Sequence, residues 1–340
     1  MRFDVSGRRL GGLALLLATV AFTACGGGGD SGAPAPAPAP TGPTDAQRSA
    51  AATSTANSAT NACAPITPFY WEIGDRNVRI ASGSVNSAGS STVYTATTLM
   101  SIASASKWLY GAYVVQRRNA VLSDSDIKFL NFRSGYTNFS ICLQGQSVDS
   151  CVAYQTNGVH SAATDGFFAY DGGHMENHAN QSMGLGPLLN AGLASEIRSQ
   201  LGTDVNLLYS QPQLAGGVAS TADDYARFLR KLLGGQLQMG ALLGTHAVCT
   251  NPATCSTALR TPVPGTESWH YSLGHWVEDD PVVGDGAFSS AGAFGFYPWI
   301  DASKNWYGVL ARQVANSGEG FNSADCGRLI RKAWVTGVAL

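Results

Sequence analysis

Charge is scarce in this chain. Only 13% of its 340 residues are Asp, Glu, Lys or Arg, and 21 basic against 23 acidic residues leave a net charge of -2. A surface for nucleic acid needs clustered lysine and arginine, and no basic arm or stripe occurs, so a polynucleotide partner is not expected. No CxxC pair is present, which argues against a structural zinc site. Internal repeats are missing too. The apolar run at residues 10–22 is too short to span a bilayer comfortably. What the chain has in quantity is apolar residues, 44%, and glycine, 40 residues. That composition supplies a sizeable core in one or two domains and many loops.

Arg8 and Arg9 precede that apolar run, and the small residues of "AFTAC" follow it, ending at Cys25. The pattern reads as an export signal over residues 1–24. A cysteine behind small residues resembles a bacterial lipobox, in which Cys25 carries lipid and becomes the mature N-terminus. The alternative is ordinary cleavage with Cys25 left over. Next comes "GGGGDSGAPAPAPAPTGP", then Ala/Ser/Thr-rich sequence to about residue 60. Residues 25–60 therefore read as a disordered tether and 61–340 as the folded domain. The expected location is outside the cytoplasm, at a bacterial membrane through a lipid anchor only, facing the periplasm or the exterior.

Setting Cys25 aside leaves six cysteines, an even number that suits disulfides in an exported protein. Two pairs flank short polar loops, Cys142–Cys151 and Cys249–Cys255. Cys63 and Cys326 remain, and their bridge would join the two ends of the folded part.

"FYWEIG" and "NVRIASGSV" (69–85) read as a hairpin, with turn residues Gly74-Asp75 between them. The period then changes: Trp108, Leu109, Ala112, Tyr113 and Gln116 recur at helical spacing, so a buried helix is predicted from about Ser104. Further helices are predicted over 123–132, 186–202, 220–235 and the C-terminal "SADCGRLIRKAWVTGV". Three aromatic strands, "SWHYSLGHWVED", "AGAFGFYPWID" and "NWYGVLARQ", stand before that last helix. Strands at both ends with a helical block between predict an α/β (α+β) fold. Its antiparallel sheet would be assembled from both termini, bringing Cys63 near Cys326.

Ser104 precedes Lys107 by three residues, in an otherwise apolar helix. A serine hydroxyl needs a base within about 2.6–3.2 Å to become a nucleophile. Residues i and i+3 share a helix face, so Lys107 would lie beside Ser104. Burial would lower its pKa toward a useful range. The plain alternative is a helix with a serine near its start. A second S-x-x-K, Ser125 to Lys128, lies in a charged segment and reads as chance.

The wider pattern resembles the serine β-lactamases and penicillin-binding proteins. The match is closest to the class C-related branch that includes esterases and D-aminopeptidases. "TLMSIASASK" resembles the nucleophile segment of that family. "FLNFRSGYTNF" (129–139) resembles its "LLNHTSG", and "GFFAYDGGH" (166–174) its tyrosine box. "AGGVASTADDYARFL" (215–229) resembles "GGLxSTAxDLARF", and "SSAGAFGFYPWID" (289–301) the strand with the K-T-G or H-x-G box. The resemblance implies that Ser104 is acylated, that Lys107 and Tyr170 move the proton, and that the N–H groups of Ser104 and Ala293 form an oxyanion hole. It implies a small-molecule or peptide-like ester or amide as substrate, with no metal and no cofactor.

Two boxes depart from the family pattern. Tyr170-Asp171-Gly172 stands where Tyr-x-Asn is common, and Ser290-Ala291-Gly292 replaces the lysine or histidine box. All five residues beside Tyr170 in these boxes are candidates for substrate contact. Losing the lysine, which normally helps bind a carboxylate, favours a simple acyl hydrolase over a β-lactamase or DD-peptidase. A non-catalytic binding protein is a further alternative. His174 and His178 in "HMENH" are spaced for one helix face, so zinc, a polar cleft wall and plain structural packing are all open there; packing is the favoured reading. His270 and His275 are read as strand packing.

Overall fold

The computed structural model describes residues 42–340; the segment read as an export signal, Cys25 and most of the glycine- and proline-rich stretch lie outside the described residues. In chain order the elements are α1 (Asp45–Ala56), β1 (Phe69–Gly74), β2 (Arg79–Val85), β3 (Met100–Ser101), α2 (Ser106–Arg117), α3 (Asp124–Leu130), α4 (Val148–Val152), β4 (Phe168–Ala169), α5 (Gly173–Gln181) and α6 (Asn190–Leu201). They continue with β5 (Leu208–Tyr209), β6 (Val218–Ser220), α7 (Ala222–Leu233), α8 (Met239–Leu242), β7 (Val248–Cys249), β8 (Ala258–Arg260), β9 (His270–Tyr271), β10 (Trp276–Glu278), β11 (Ala287–Ser289), β12 (Tyr297–Ile300), β13 (Tyr307–Ala311) and α9 (Glu319–Thr336).

The main sheet runs β2-β1-β13-β12-β11-β10-β9-β7, antiparallel throughout. Its first two strands come from one end of the folded part and the rest from the other, as the strand pattern predicts. Tyr70 registers with Ala311 and Ile73 with Gly308. Every residue of β1 is buried, which marks a strand covered on both faces. The three disulfides join the pairs read from spacing, and Cys63–Cys326 fixes the start of the fold to α9 with Cα atoms 4.6 Å apart.

Between the sheet and the helical block runs α2. All ten residues from Ser106 to Val115 are buried, the pattern of a helix enclosed on all sides. Small residues permit that fit: a Cβ on Gly111 would lie 2.3 Å from the Leu273 carbonyl oxygen.

Three differences from the sequence expectation are physical. First, α1 folds inside the stretch read as tether. Thr44 and Gln47 close a capping box at its start, Ala51, Ala52 and Ala56 are buried, and Arg48 donates to the Trp334 and Val335 carbonyls of α9. Alanine-rich sequence looks like linker until a partner helix covers it. Second, "SWHYSLGHWVED" is two short strands, β9 and β10, turned at Gly274 (φ 83°). Third, residues 290–296 form a turn and β12 begins only at Tyr297, because Gly295 adopts a left-handed φ of 106° and its N–H closes on the Gly292 carbonyl at 2.9 Å. Ala293 therefore sits on a turn and not on a strand edge.

Candidate active site

Ser104 lies in a single 3-10 turn, Ala103–Ala105, that feeds α2. The predicted helix start is two residues early: α2 proper begins at Ser106. Ala103 has a left-handed φ of 43°, a strained backbone for a residue with a Cβ, held here by its neighbours. Ile102 N–H donates to Val218 O at 3.0 Å. The Ser106 hydroxyl donates to Ala103 O at 2.6 Å and accepts the Val218 N–H at 3.2 Å. Tyr225, from α7, donates to Ala105 O at 2.8 Å.

Lys107 is in the first turn of α2 and buried. Its Nζ donates to Ser104 Oγ at 2.9 Å and to Ala215 O at 2.7 Å. Burial pushes its pKa down to about 8, against the opposing attraction of Glu176 and Asp171. Tyr170 flanks the same site. The Lys107 ammonium lies 4.9 Å from the centre of its ring, and Trp276 stacks on that ring at 5.2 Å. Burial pushes the phenol up to about 12, while interactions with the Ser104 and Trp276 side chains work the other way.

Above Ser104 opens a cavity of about 190 Å³, walled by Tyr170, Val263, Trp269, Trp276 and Phe321, with Ala291 and Ala293 at its edge. Among the described residues neither the Ser104 nor the Ala293 backbone N–H donates to another group. Both residues line the cavity, so two N–H donors are available beside the serine hydroxyl. Gly292 makes this approach possible, since a Cβ there would lie 2.2 Å from the Ile102 carbonyl oxygen.

No family model matches the chain, and no curated protein matches its sequence. Solved structures do. EstCE1, a hydrolase with promiscuous acyltransferase activity, is 12% identical with a TM-score of 0.59, covering 86% of this chain and 99% of its own. Unliganded simvastatin synthase from Aspergillus terreus is 13% identical with a TM-score of 0.56, covering 85% and 97%. A penicillin binding protein from Bacillus halodurans is 12% identical with a TM-score of 0.54, covering 75% and 94%. This chain has the fold of the β-lactamase and penicillin-binding-protein serine hydrolases.

Within this β-lactamase-like fold the two departing boxes are put to structural use. The Ser290 hydroxyl donates to the Ser104 carbonyl at 3.1 Å, so it braces the Ala103–Ala105 turn. Asp171 accepts N–H groups of Phe139 (3.2 Å) and Gly173 (2.9 Å) and pairs with Arg260. Gly172 packs under the Phe139 ring, which a Cβ would meet at 2.9 Å. Asp171 and Gly172 do not line the cavity, and neither do Ser290 and Gly292; of the five box residues only Ala291 does.

The histidines are also committed. His174 bonds Ser134 Oγ (2.7 Å) and Ala169 O (2.9 Å), and burial pushes its pKa down to about 3. His178 bonds Tyr110 and Asp126, each at 2.9 Å. His275 stacks on Trp108 and accepts the Gly244 N–H, whereas His270 pairs with Asp279. The second S-x-x-K serves no site: Lys128 pairs with Asp165 at 2.7 Å.

Sequence reading missed Ser106, Tyr225, Glu176 and the aromatic wall. Only the wall left a signal, in the tryptophans of "ESWHYSLGHW"; the others act through backbone contacts that no local pattern encodes.

Proposed function

We propose that this protein is a serine acyl hydrolase that cleaves an uncharged ester, or a simple amide, through an acyl-Ser104 intermediate. One observation carries the reading: a buried lysine whose pKa falls to about 8 donates at 2.9 Å to a serine hydroxyl facing a cavity. Neutral Lys107, with Tyr170, takes the Ser104 proton as Oγ attacks the carbonyl carbon. The tetrahedral oxyanion forms between the Ser104 and Ala293 N–H groups, where losing one such donor typically costs about 3–4 kcal/mol of transition-state stabilisation. The proton then passes to the leaving group, and water attacks the acyl-enzyme to release acid and restore Ser104.

An uncharged substrate is favoured because the cavity is walled by aromatic and aliphatic groups and Ser290 replaces a cation. The nearby guanidinium of Arg328 is neutralised by Glu267 and Asp325. The chain is further proposed to be exported and held to a membrane by lipid on Cys25, a reading supported by its three disulfides. Among the described residues no helix is long and apolar enough to cross a membrane.

The test is intact-mass spectrometry after a fluorophosphonate, alongside turnover of p-nitrophenyl butyrate and a chromogenic cephalosporin. A single adduct that disappears in Ser104→Ala, with the ester preferred, is the expected result. Fast cephalosporin turnover assigns the chain to the β-lactamases instead. No adduct at all leaves a non-catalytic binding protein on this fold.

A further inference from the structure

Glu176 is the most unusual side chain near the site. It belongs to α5, is fully buried, and one of its carboxyl oxygens, Oε2, has no hydrogen-bond partner. Burying a carboxyl with a bare oxygen costs stability, so a group of this kind calls for a reason. Its other oxygen, Oε1, accepts the Ala215 N–H at 3.0 Å. The carbonyl of the same Ala215 accepts Lys107 Nζ at 2.7 Å, and that Nζ donates to Ser104 Oγ at 2.9 Å. A continuous path therefore runs from Glu176 through one backbone residue to the base and then the nucleophile.

We propose that Glu176 is a positioning residue: it holds Ala215 in place so that the Ala215 carbonyl aims Lys107 at Ser104, and its carboxylate stabilises the ammonium that Lys107 becomes. The inference rests on the proposed roles of Ser104 and Lys107. It gives the pair a third member, as nucleophile and base in many hydrolases are oriented by one more group. Among the described residues Asp171 is the other carboxyl that acts on Lys107, and it is tied to Arg260.

The groups facing Glu176 fit the assignment. From α2 come Lys107, the only cation among them, and Tyr110; from β5 comes Tyr209, whose hydroxyl is likewise buried without a partner. On α5 itself His174 and His178 are held neutral by burial, which lowers both pKa values. Burial also pushes the Glu176 carboxyl up to about 8, with the Ala215 and Leu214 N–H groups and Lys107 opposing. Glu176 and Lys107 each favour the charged form of the other, so they titrate as a pair.

The readout is the second-order rate of fluorophosphonate labelling of Ser104 against pH, with thermal melting measured in parallel. Glu176→Gln keeps an acceptor for the Ala215 N–H but removes the negative charge. Lys107 then loses an attraction that raises its pKa, so the acid limb of the labelling profile moves down by about half a pH unit or more. Glu176→Met removes the acceptor as well, and the plateau rate falls about tenfold or more with the loss of base orientation. A melting temperature that holds in Glu176→Gln completes the expected result, because the Ala215 N–H keeps its acceptor; Glu176→Met leaves that N–H unpaired, so its labelling is read per folded molecule. An unmoved limb in Glu176→Gln with an unchanged plateau in Glu176→Met overturns the proposal. So does a fall in melting temperature accompanied by unaltered labelling per folded molecule, which makes Glu176 structural only. Absence of Ser104 labelling in the unaltered protein defeats the underlying hydrolase reading instead, so the two failures are distinguishable.

Discussion

Lys107 sets the pH dependence of the proposed chemistry. A lysine serves as a base only when neutral, and burial brings its pKa from the usual 10.5 down to about 8. Ester hydrolysis is therefore expected to rise through about pH 8 and to hold until Tyr170 ionises near 12. The same shift has a stability consequence. Between about 8 and 10.5 the unfolded chain keeps a proton that native Lys107 has released, so the contribution of this group to stability increases with pH across that window. Below about pH 8 the buried ammonium is a standing cost. Lys107→Met removes base and cost together: turnover falls about 10²–10⁴-fold, while the melting temperature at pH 7 does not fall. A pH–rate profile and a thermal melt check both, and a rate that is flat from pH 6 to 10 contradicts the assignment. At this scale the convergence of Ser104, Lys107 and Tyr170 was legible, because their spacing is local or motif-bound. Glu176 was not, because its connection runs through the backbone of Ala215, 39 residues away.

At the scale of elements, the site is an intersection of two turns. The Ala103–Ala105 turn brings Ser104, and the 290–296 turn brings Ala293. They touch where Gly292 meets Ile102. Gly292→Ala places a Cβ 2.2 Å from a backbone oxygen, and neither backbone can yield without moving a donor N–H. The expected stability loss is about 1–3 kcal/mol from overpacking. Labelling of Ser104 should slow about 10²-fold, since small misplacements of catalytic groups are that costly. Urea unfolding and labelling rates measure the two separately, and wild-type labelling in a folded Gly292→Ala protein would show that the approach of the turns is not needed. The helix α7 was legible from Thr221, Asp223, Asp224 and Gly234, which cap and stop it locally. The extent of β12 was not, because aromatic β-formers continue through a stretch that Gly295 turns aside.

Over the whole molecule, α9 closes the fold. The Cys63–Cys326 bridge ties it to the start of the domain. Arg331, fully buried, bonds Glu278 of β10 at 2.8 Å, Tyr297 of β12 at 2.7 Å and Asp285 between the strands. Reducing that bridge, or Cys63→Ser with Cys326→Ser, frees a loop spanning 263 positions. The expected loss is about 5–6 kcal/mol in the chain-entropy account of disulfides. Urea unfolding of the double variant measures it, and a change under about 1 kcal/mol would show that α9 is held by Arg331 and packing alone.

The amino-acid order alone determined the three cysteine pairs, the capped helices, the two-ended sheet and the Ser104–Lys107 spacing. Each of these follows from local propensity, short-range spacing or loop arithmetic. The tertiary structure decided that α1 is a packed helix, that Asp171 serves Arg260, that Ser290 braces Ser104, and that Glu176 stands behind Lys107. These outcomes depend on contacts between residues far apart in the chain, from 39 positions for Glu176 and Ala215 to 286 for Arg48 and Trp334. A side chain's partner at that range is fixed by where the backbones are packed, and only the folded chain supplies that information.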